Sequence, residues 1–168
     1  LLQARIFNPL GMRDSGASLA HFQASTNAAL PHIKTSRGWW PKAVDQPYYE
    51  VKPAAGVNAS IHDMSQYLIA VMGHRPDVIP PAVMDELTTP RVATPKEGLT
   101  SKWRKTRVKN PKYGLGWRVF QYNGKEEMIF HAGGQFGVSA MIGFLPGKDI
   151  GMVMLWNASE SKPATLMP

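Results

Sequence analysis

The stretch Met128-Ile129-Phe130-His131-Ala132-Gly133-Gly134, followed by Val138-Ser139-Ala140-Met141-Ile142-Gly143-Phe144-Leu145, decides how this chain is read. Met128 to Phe130 form the end of a buried strand, and residues 138–145 form the next one. A titratable histidine at that junction is out of place in a core. The two glycines after it remove every side chain that would keep a ligand off the backbone. One histidine beside bare backbone N–H groups suits acyl transfer, where an oxyanion needs donors and a leaving group needs a proton. The same residues also fit a tight turn that a histidine happens to flank.

Working outward, the last third of the chain reads as sheet. Tyr113, Leu115, Trp117 and Val119 alternate, and Tyr122-Asn123-Gly124-Lys125 is a hairpin turn. The runs 126–131, 136–145 and 149–156 follow, with Pro146-Gly147-Lys148-Asp149 between the last two. Connections this short require antiparallel neighbours. The expectation is a four-stranded meander with His131 on its second strand.

The first half reads as irregular with short helices. Residues 1–7 look like the last turns of a helix ended by Asn8-Pro9 and Gly11. From Asp14 to Pro53 there is little period and many breakers, and Trp39, Trp40, Tyr48 and Tyr49 are expected to anchor this excursion to the body. The best helix starts at Ser60, an N-cap hydroxyl with an acid three residues on, Asp63. Ile61, Met64, Leu68 and Val71 then recur at helical spacing until Gly73. A shorter helix starts at Pro80-Pro81 and runs through Val83, Met84 and Leu87 to Pro90.

Composition sets the bounds. The 168 residues fit one domain or a piece of a larger one, and 43% hydrophobic residues suffice for a core. No eighteen-residue apolar run exists to span a membrane. The absence of cysteine removes disulfides, thiolate catalysis and cysteine-ligated zinc. A net charge of +7 raises nucleic acid as a partner. Yet Lys102, Arg104, Lys105, Arg107, Lys109 and Lys112 sit in one stretch bounded by Gly98 and Asn110-Pro111, which reads as a solvated loop. No helix-turn-helix, zinc-finger or RNP pattern accompanies it, so nucleic acid is not the expected partner. The chain opens at Leu1-Leu2 and stops at Met167-Pro168, and both ends read as cut from a longer polypeptide.

The chemical inventory is narrow. His21, His32, His62, His74 and His131 form no pair at metal-ligand spacing, so no metal or other cofactor is expected. G-x-G-x-x-G, Walker A and G-x-S-x-G motifs do not occur. Asp63 and the other acids read as surface or capping residues rather than a glycosidase pair.

Five segments carry a resemblance. Asn8-Pro9-Leu10-Gly11-Met12 with Asp14-Ser15 looks like the "PLGM" segment of class C β-lactamase-related serine hydrolases. Pro53-Ala54-Ala55-Gly56-Val57-Asn58-Ala59-Ser60, running into His62-Asp63-Met64, resembles that family's mid-chain helix start. Tyr113-Gly114-Leu115-Gly116-Trp117, His131-Ala132-Gly133-Gly134 and Gly143-Phe144-Leu145-Pro146 resemble its final strands in order. The resemblance implies an α+β chain, the C-terminal part of the β-lactamase/transpeptidase-like fold, with short helices and an antiparallel sheet of about four strands. It divides the chain into a helical and loop region (1–112), sheet strands (113–157) and a closing connection (158–168).

It also implies a mechanism. A serine of an S-x-x-K motif, aided by its lysine and by the tyrosine of a Y-x-N motif, attacks an acyl carbon. His131, Ala132 and Gly133 match the third motif, K-T-G or H-x-G. The resemblance makes His131 a proton or hydrogen-bond group and the Gly134 N–H an oxyanion donor. Ala132, Gly133 and Gln135 would pair with the substrate as an added strand. Y-x-N does not occur in this chain. S-x-x-K occurs once, Ser159-Glu160-Ser161-Lys162, after the last strand and before Pro163, which is the wrong place for a nucleophile.

The expectation is therefore a fragment of a serine hydrolase acting on amides or esters, inactive alone. The alternative is a non-catalytic binding or regulatory protein of the same fold. Histidine rather than lysine at 131, and Ala55 where class C enzymes carry an aromatic, favour peptidase or esterase over β-lactamase chemistry. The expected partners are the rest of the same protein or a second copy, with a small amide, ester or peptide as substrate. The resemblance implies a periplasmic or membrane-associated protein; the chain itself leaves location unknown.

Overall fold

A computed structural model describes residues 1–51, 54–96 and 102–160. Its centre is a six-stranded antiparallel sheet in simple sequence order. The strands are β3 (Val92–Ala93), β4 (Val108–Tyr113), β5 (Arg118–Tyr122), β6 (Glu126–Gln135), β7 (Val138–Leu145) and β8 (Ile150–Trp156). A separate hairpin, β1 (His32–Thr35) and β2 (Gly38–Pro41), lies in the first half. Short helices complete the chain: α1 (Asn8–Leu10), α2 (Leu19–Ala24), α3 (Ile61–Ile69), α4 (Pro81–Thr88) and α5 (Lys102–Arg107).

The four expected strands are present, and β3 and β4 extend the sheet beyond them. The basic stretch is thus not a solvated loop. It folds as α5 and β4, because Asn110-Pro111, ordinarily a breaker, lies inside the strand. Asn110 takes a left-handed conformation (φ 51°), and the register against β5 shifts between Lys109 and Lys112. A bulge absorbs the proline, which a strand near the sheet edge tolerates. The alternation from Tyr113 to Val119 is also broken in the middle. Gly114 to Trp117 make a turn, with Gly114 N donating to Trp117 O at 2.8 Å. A Cβ on Gly114 would lie 2.3 Å from Leu87 O, so only glycine lets the sheet approach the end of α4 this closely.

Strand alternation sorts side chains onto two faces. Trp117, Ile129, Ile142 and Phe144 join Leu10, Leu68, Val71 and Met84 in a core between the sheet and α1, α3 and α4. Phe120, Tyr122, Met128, Phe130 and Met141 form a second cluster on the opposite face, flanked by half-buried Met152, Met154 and Trp156. There α5 lays the Arg104 guanidinium 5.6 Å from the centre of the Phe130 ring.

At the N-terminus, Asn8-Pro9 does not end the helix. Pro9 has no N–H for the carbonyl of Arg5, and the turn Gln3–Phe7 is wound as a π-helix instead. Met12 N reaches back to Phe7 O at 2.9 Å, and Gly11 (φ 69°) makes the stop. The helix predicted at Ser60 is present, with Ser60 Oγ accepting from Asp63 N at 3.2 Å. Gly73 (φ 96°) breaks the pitch where expected.

The excursion from Asp14 is more ordered than its breakers suggested, holding α2 and the β1–β2 hairpin. Tyr48 and Tyr49 are buried and do anchor it. Trp39 and Trp40 do not; they stand exposed on β2, a strand with both faces outside the core.

Candidate active-site edge

Strand β6 runs past its neighbour. Its pairing with β5 ends at Phe130 opposite Arg118, while its pairing with β7 continues to Gln135 opposite Val138. Residues 131–135 therefore pair on one side only among the described residues. The turn that follows has two residues, Phe136 (φ 34°) and Gly137 (φ 95°), both left-handed, as a type I′ hairpin requires. Such a hairpin closes on a hydrogen-bonded pair, Gln135 with Val138. The next pair, Gly134 with Ser139, is then the non-bonded kind, as is Ala132 with Met141. The N–H and C=O of Gly134 and of Ala132 accordingly point away from β7, toward the open edge. Gly133 and Gly134 are exposed, so nothing of their own shields this backbone.

His131 opens the segment. Its Nδ1–H donates to Gly116 O at 2.5 Å, and its ring meets the edge of Trp117 at 6.5 Å between centres. Burial pushes the imidazole below its ordinary pKa of 6.5; the Gly116 bond opposes this and the Arg118 charge adds to it. The ring is half-buried and favours the neutral form.

The turn at the far end is tied from two sides. Tyr48 Oη donates to Phe136 O at 2.7 Å, and the two rings meet edge to face. Lys42 Nζ lies 4.5 Å from the centre of the exposed Phe136 ring. His32 N donates to Gly137 O at 3.0 Å, and a Cβ on Gly137 would sit 2.8 Å from that nitrogen. Asn157 Nδ2 donates to Leu30 O, and Ser159 N to His32 O, so the chain around β1 straps the β6–β7 turn to the end of β8.

Asp63 is neither a surface nor a capping side chain, contrary to its sequence reading. It is 1% exposed and accepts from Asp14 N at 2.9 Å and Ser15 Oγ at 2.7 Å. It latches the segment after Gly11 onto the start of α3. An open depression of about 440 Å³ borders it, lined by Arg13, Asp14, His62 and Gln66 among others, with no contribution from β6. No group of three or more histidines or acids among the described residues could hold a metal ion. Of the S-x-x-K stretch, Ser161 and Lys162 lie outside the described residues, as does Pro53 of the mid-chain segment.

The beta-lactamase family model matches residues 1–167. The chain belongs to the beta-lactamase family. An unguisins hydrolase of Aspergillus campestris is 26% identical over 171 residues, 96% of this chain and 29% of that protein. A penicillin-binding protein homologue from Pyrococcus abyssi, described as octameric, superposes with TM-score 0.79 at 23% identity, covering 94% of this chain and 33% of that one. A D-stereospecific amidohydrolase from Streptomyces gives TM-score 0.71 at 18% identity, with 98% and 46% covered. The chain spans less than half the length of each. At these identities the structural likenesses establish the shared beta-lactamase/transpeptidase-like fold, α+β as expected.

Within that family fold, the five residues singled out by sequence, His131, Ala132, Gly133, Gly134 and Gln135, are contiguous on one strand, and the open edge falls on them. Sequence reading missed the Gly116 carbonyl, the Tyr48 hydroxyl and the Asp63 latch. A glycine just before a strand was the available signal for the first. Nothing local marked the other two, since their partners lie 88 and 48 or 49 positions away.

Proposed function

We propose that this chain supplies one wall of an acyl-transfer site in a serine hydrolase that acts on amide or ester bonds. The observation that carries this is the one-sided pairing of residues 131–135. Gly134 N–H stands ready to stabilise an oxyanion, a role worth about 3–4 kcal/mol in other hydrolases. The backbone of Ala132 offers a substrate amide the contacts of an added strand. His131 stands at the start of that row in a proton or hydrogen-bond role, and Gly133 and Gln135 flank the bound chain.

The attacking serine and its base belong to a part of the protein outside these 168 residues, in S-x-x-K and Y-x-N motifs. The family relation and the amidohydrolase among the similar structures support hydrolysis of amides. Neutral His131 in place of a lysine cation favours peptidase or esterase over β-lactamase turnover. The partner is the remainder of the same protein or a second copy. The second reading is a binding or regulatory protein that kept the fold without catalysis, and absence of S-x-x-K and Y-x-N from the rest of the protein would support it.

Acylation decides between them. The intact protein should take up a labelled β-lactam or activated ester in stoichiometric amount, and the 168-residue chain alone should take up none. Removing one member of a catalytic unit costs nearly as much as removing all of it. A burst of label on the chain alone would refute its predicted inactivity, and no label on the intact protein would favour the binding reading.

A further inference from the structure

We propose that the β1–β2 hairpin is a docking surface for an anionic lipid bilayer, its two tryptophans seated at the headgroup level among basic side chains. The inference stands apart from the hydrolase reading and adds to it a place of action.

The two faces of the ribbon carry the argument. Every residue from Ile33 to Pro41 is exposed. The register pairs Ile33 with Trp40 and Lys34 with Trp39, and neighbouring positions point to opposite faces. Trp40, 64% exposed, therefore stands with Ile33 on one face, and Trp39, 43% exposed, with Lys34 on the other. Large apolar rings left in water together mark a surface that takes a partner. A flat protein patch reaches one face of such a ribbon. A fluid layer surrounds both.

Charge selects the kind of layer. Between Asp14 and Asp45 the sequence holds no acid, and Lys34, Arg37 and Lys42 lie on the hairpin or directly after it. Lys34 Nζ stands 6.0 Å from the centre of the Trp39 ring. Tryptophan favours the membrane interface, where the ring meets apolar chains and the indole N–H meets polar groups. Lysine and arginine beside it reach lipid phosphates while their stems lie along apolar surface. Ile33 next to Trp40 suits acyl chains and offers nothing to a soluble polyanion.

The hairpin is shaped before contact. Thr35 Oγ1 donates to Gly38 O at 2.9 Å and accepts from Arg37 N at 3.2 Å, so docking has little backbone left to order. Its base is fixed to the body, with Lys42 N donating to Pro31 O at 2.8 Å and His32 N to Gly137 O at 3.0 Å. The second of these bonds is to the β6–β7 turn. A docked hairpin thus holds the open edge of β6 beside the membrane surface.

The test is cosedimentation of the intact protein with vesicles of phosphatidylcholine alone, and of phosphatidylcholine mixed two to one with phosphatidylserine. The mixed vesicles should bind about a hundredfold more tightly, three basic side chains each giving about fivefold. Trp39→Ala/Trp40→Ala should keep the urea midpoint and lose about tenfold or more of that affinity. Lys34→Gln/Arg37→Gln should also lose about tenfold or more, whereas Lys109→Gln/Lys112→Gln on β4 should leave binding nearly unchanged. Binding to neither vesicle, equal binding to both, or binding indifferent to the two tryptophans would each overturn the inference. So would an equal loss in the β4 variant, which would mean adsorption by overall charge. Dextran sulfate bound with the same dependence on the tryptophans would assign the hairpin to a soluble polyanion instead. If the tryptophan variant does not fold, the two charge variants compared with each other decide. Acylation is measured without vesicles, so the hydrolase reading and this one fail separately.

Discussion

Asp63 shows how one buried side chain can hold two distant segments. Its carboxylate is removed from water and answered by the Asp14 N–H and the Ser15 hydroxyl. Ser15 is itself 2% exposed, so truncating Asp63 strands a buried donor. Asp63→Ala should destabilise the protein by about 2–4 kcal/mol, and Ser15→Ala by about 1 kcal/mol, in urea denaturation. A double-mutant cycle should show the two effects to be strongly non-additive, because they share one bond. His131 makes a prediction of different form. Its pKa in the folded state lies below the ordinary 6.5, so between the two values the unfolded chain binds more protons. The stability it permits is intact above 6.5 and lost as pH falls through the lower, folded value. His131→Gln should flatten that acid limb of a stability-against-pH curve; an unchanged limb would mean His131 is not depressed. Both residues were visible in the sequence, but only His131 advertised a role. A histidine between an apolar run and two glycines is anomalous locally, whereas the burial of Asp63 is decided by residues 48 and 49 positions away.

The β6–β7 hairpin is the element on which the candidate site depends, and its turn is unusual in placing phenylalanine at a left-handed position. Asparagine or glycine is preferred there, so the conformation is held from outside, by Tyr48 on the Phe136 carbonyl and by His32 on that of Gly137. Gly137→Ala meets both a left-handed φ and a Cβ contact at 2.8 Å with backbone, and should cost about 2–4 kcal/mol. Gly124→Ala, left-handed with open space around it, should cost only about 1–2 kcal/mol. Chemical denaturation of the two variants checks the difference; equal costs would mean the strap through Pro31 and His32 does not bear on the turn. The strands themselves were legible because alternation and turn residues are local properties. Tyr122-Asn123-Gly124-Lys125 predicted a hairpin and forms one, with Asn123 and Gly124 both left-handed. What misled were residues whose usual meaning was overridden by context: Asn110-Pro111 absorbed in a bulge, Pro9 passed by a π-turn, and exposed tryptophans on a hairpin that nothing in its period announced. The site was legible as a motif on one strand, and its openness was not. That openness comes from β5 stopping at Arg118, which only the register reveals.

At the scale of the molecule, two properties of the surface oppose each other. Among the described residues β8 is an edge strand; it carries Ile150 at 59% and Leu155 at 37% exposure, and on the same strand the half-buried Met152, Met154 and Trp156 pack against the second cluster. An apolar strand at a sheet edge invites pairing with another strand. Against this stands a net charge of +7, which makes copies of the chain repel one another. Charge repulsion weakens with ionic strength, the screening length falling from about 30 Å at 0.01 M to about 10 Å at 0.1 M, while apolar attraction does not weaken. Self-association of the 18.5 kDa chain should therefore increase with salt. Leu155→Lys, adding charge at the edge, should suppress it. Sedimentation at low and moderate salt measures both, and a monomer at every salt concentration would show that β8 is not a sticking edge. Salt also separates this behaviour from nucleic-acid binding, which counterion release makes weaker as salt rises. DNA retention should be no greater than that of any protein of equal charge.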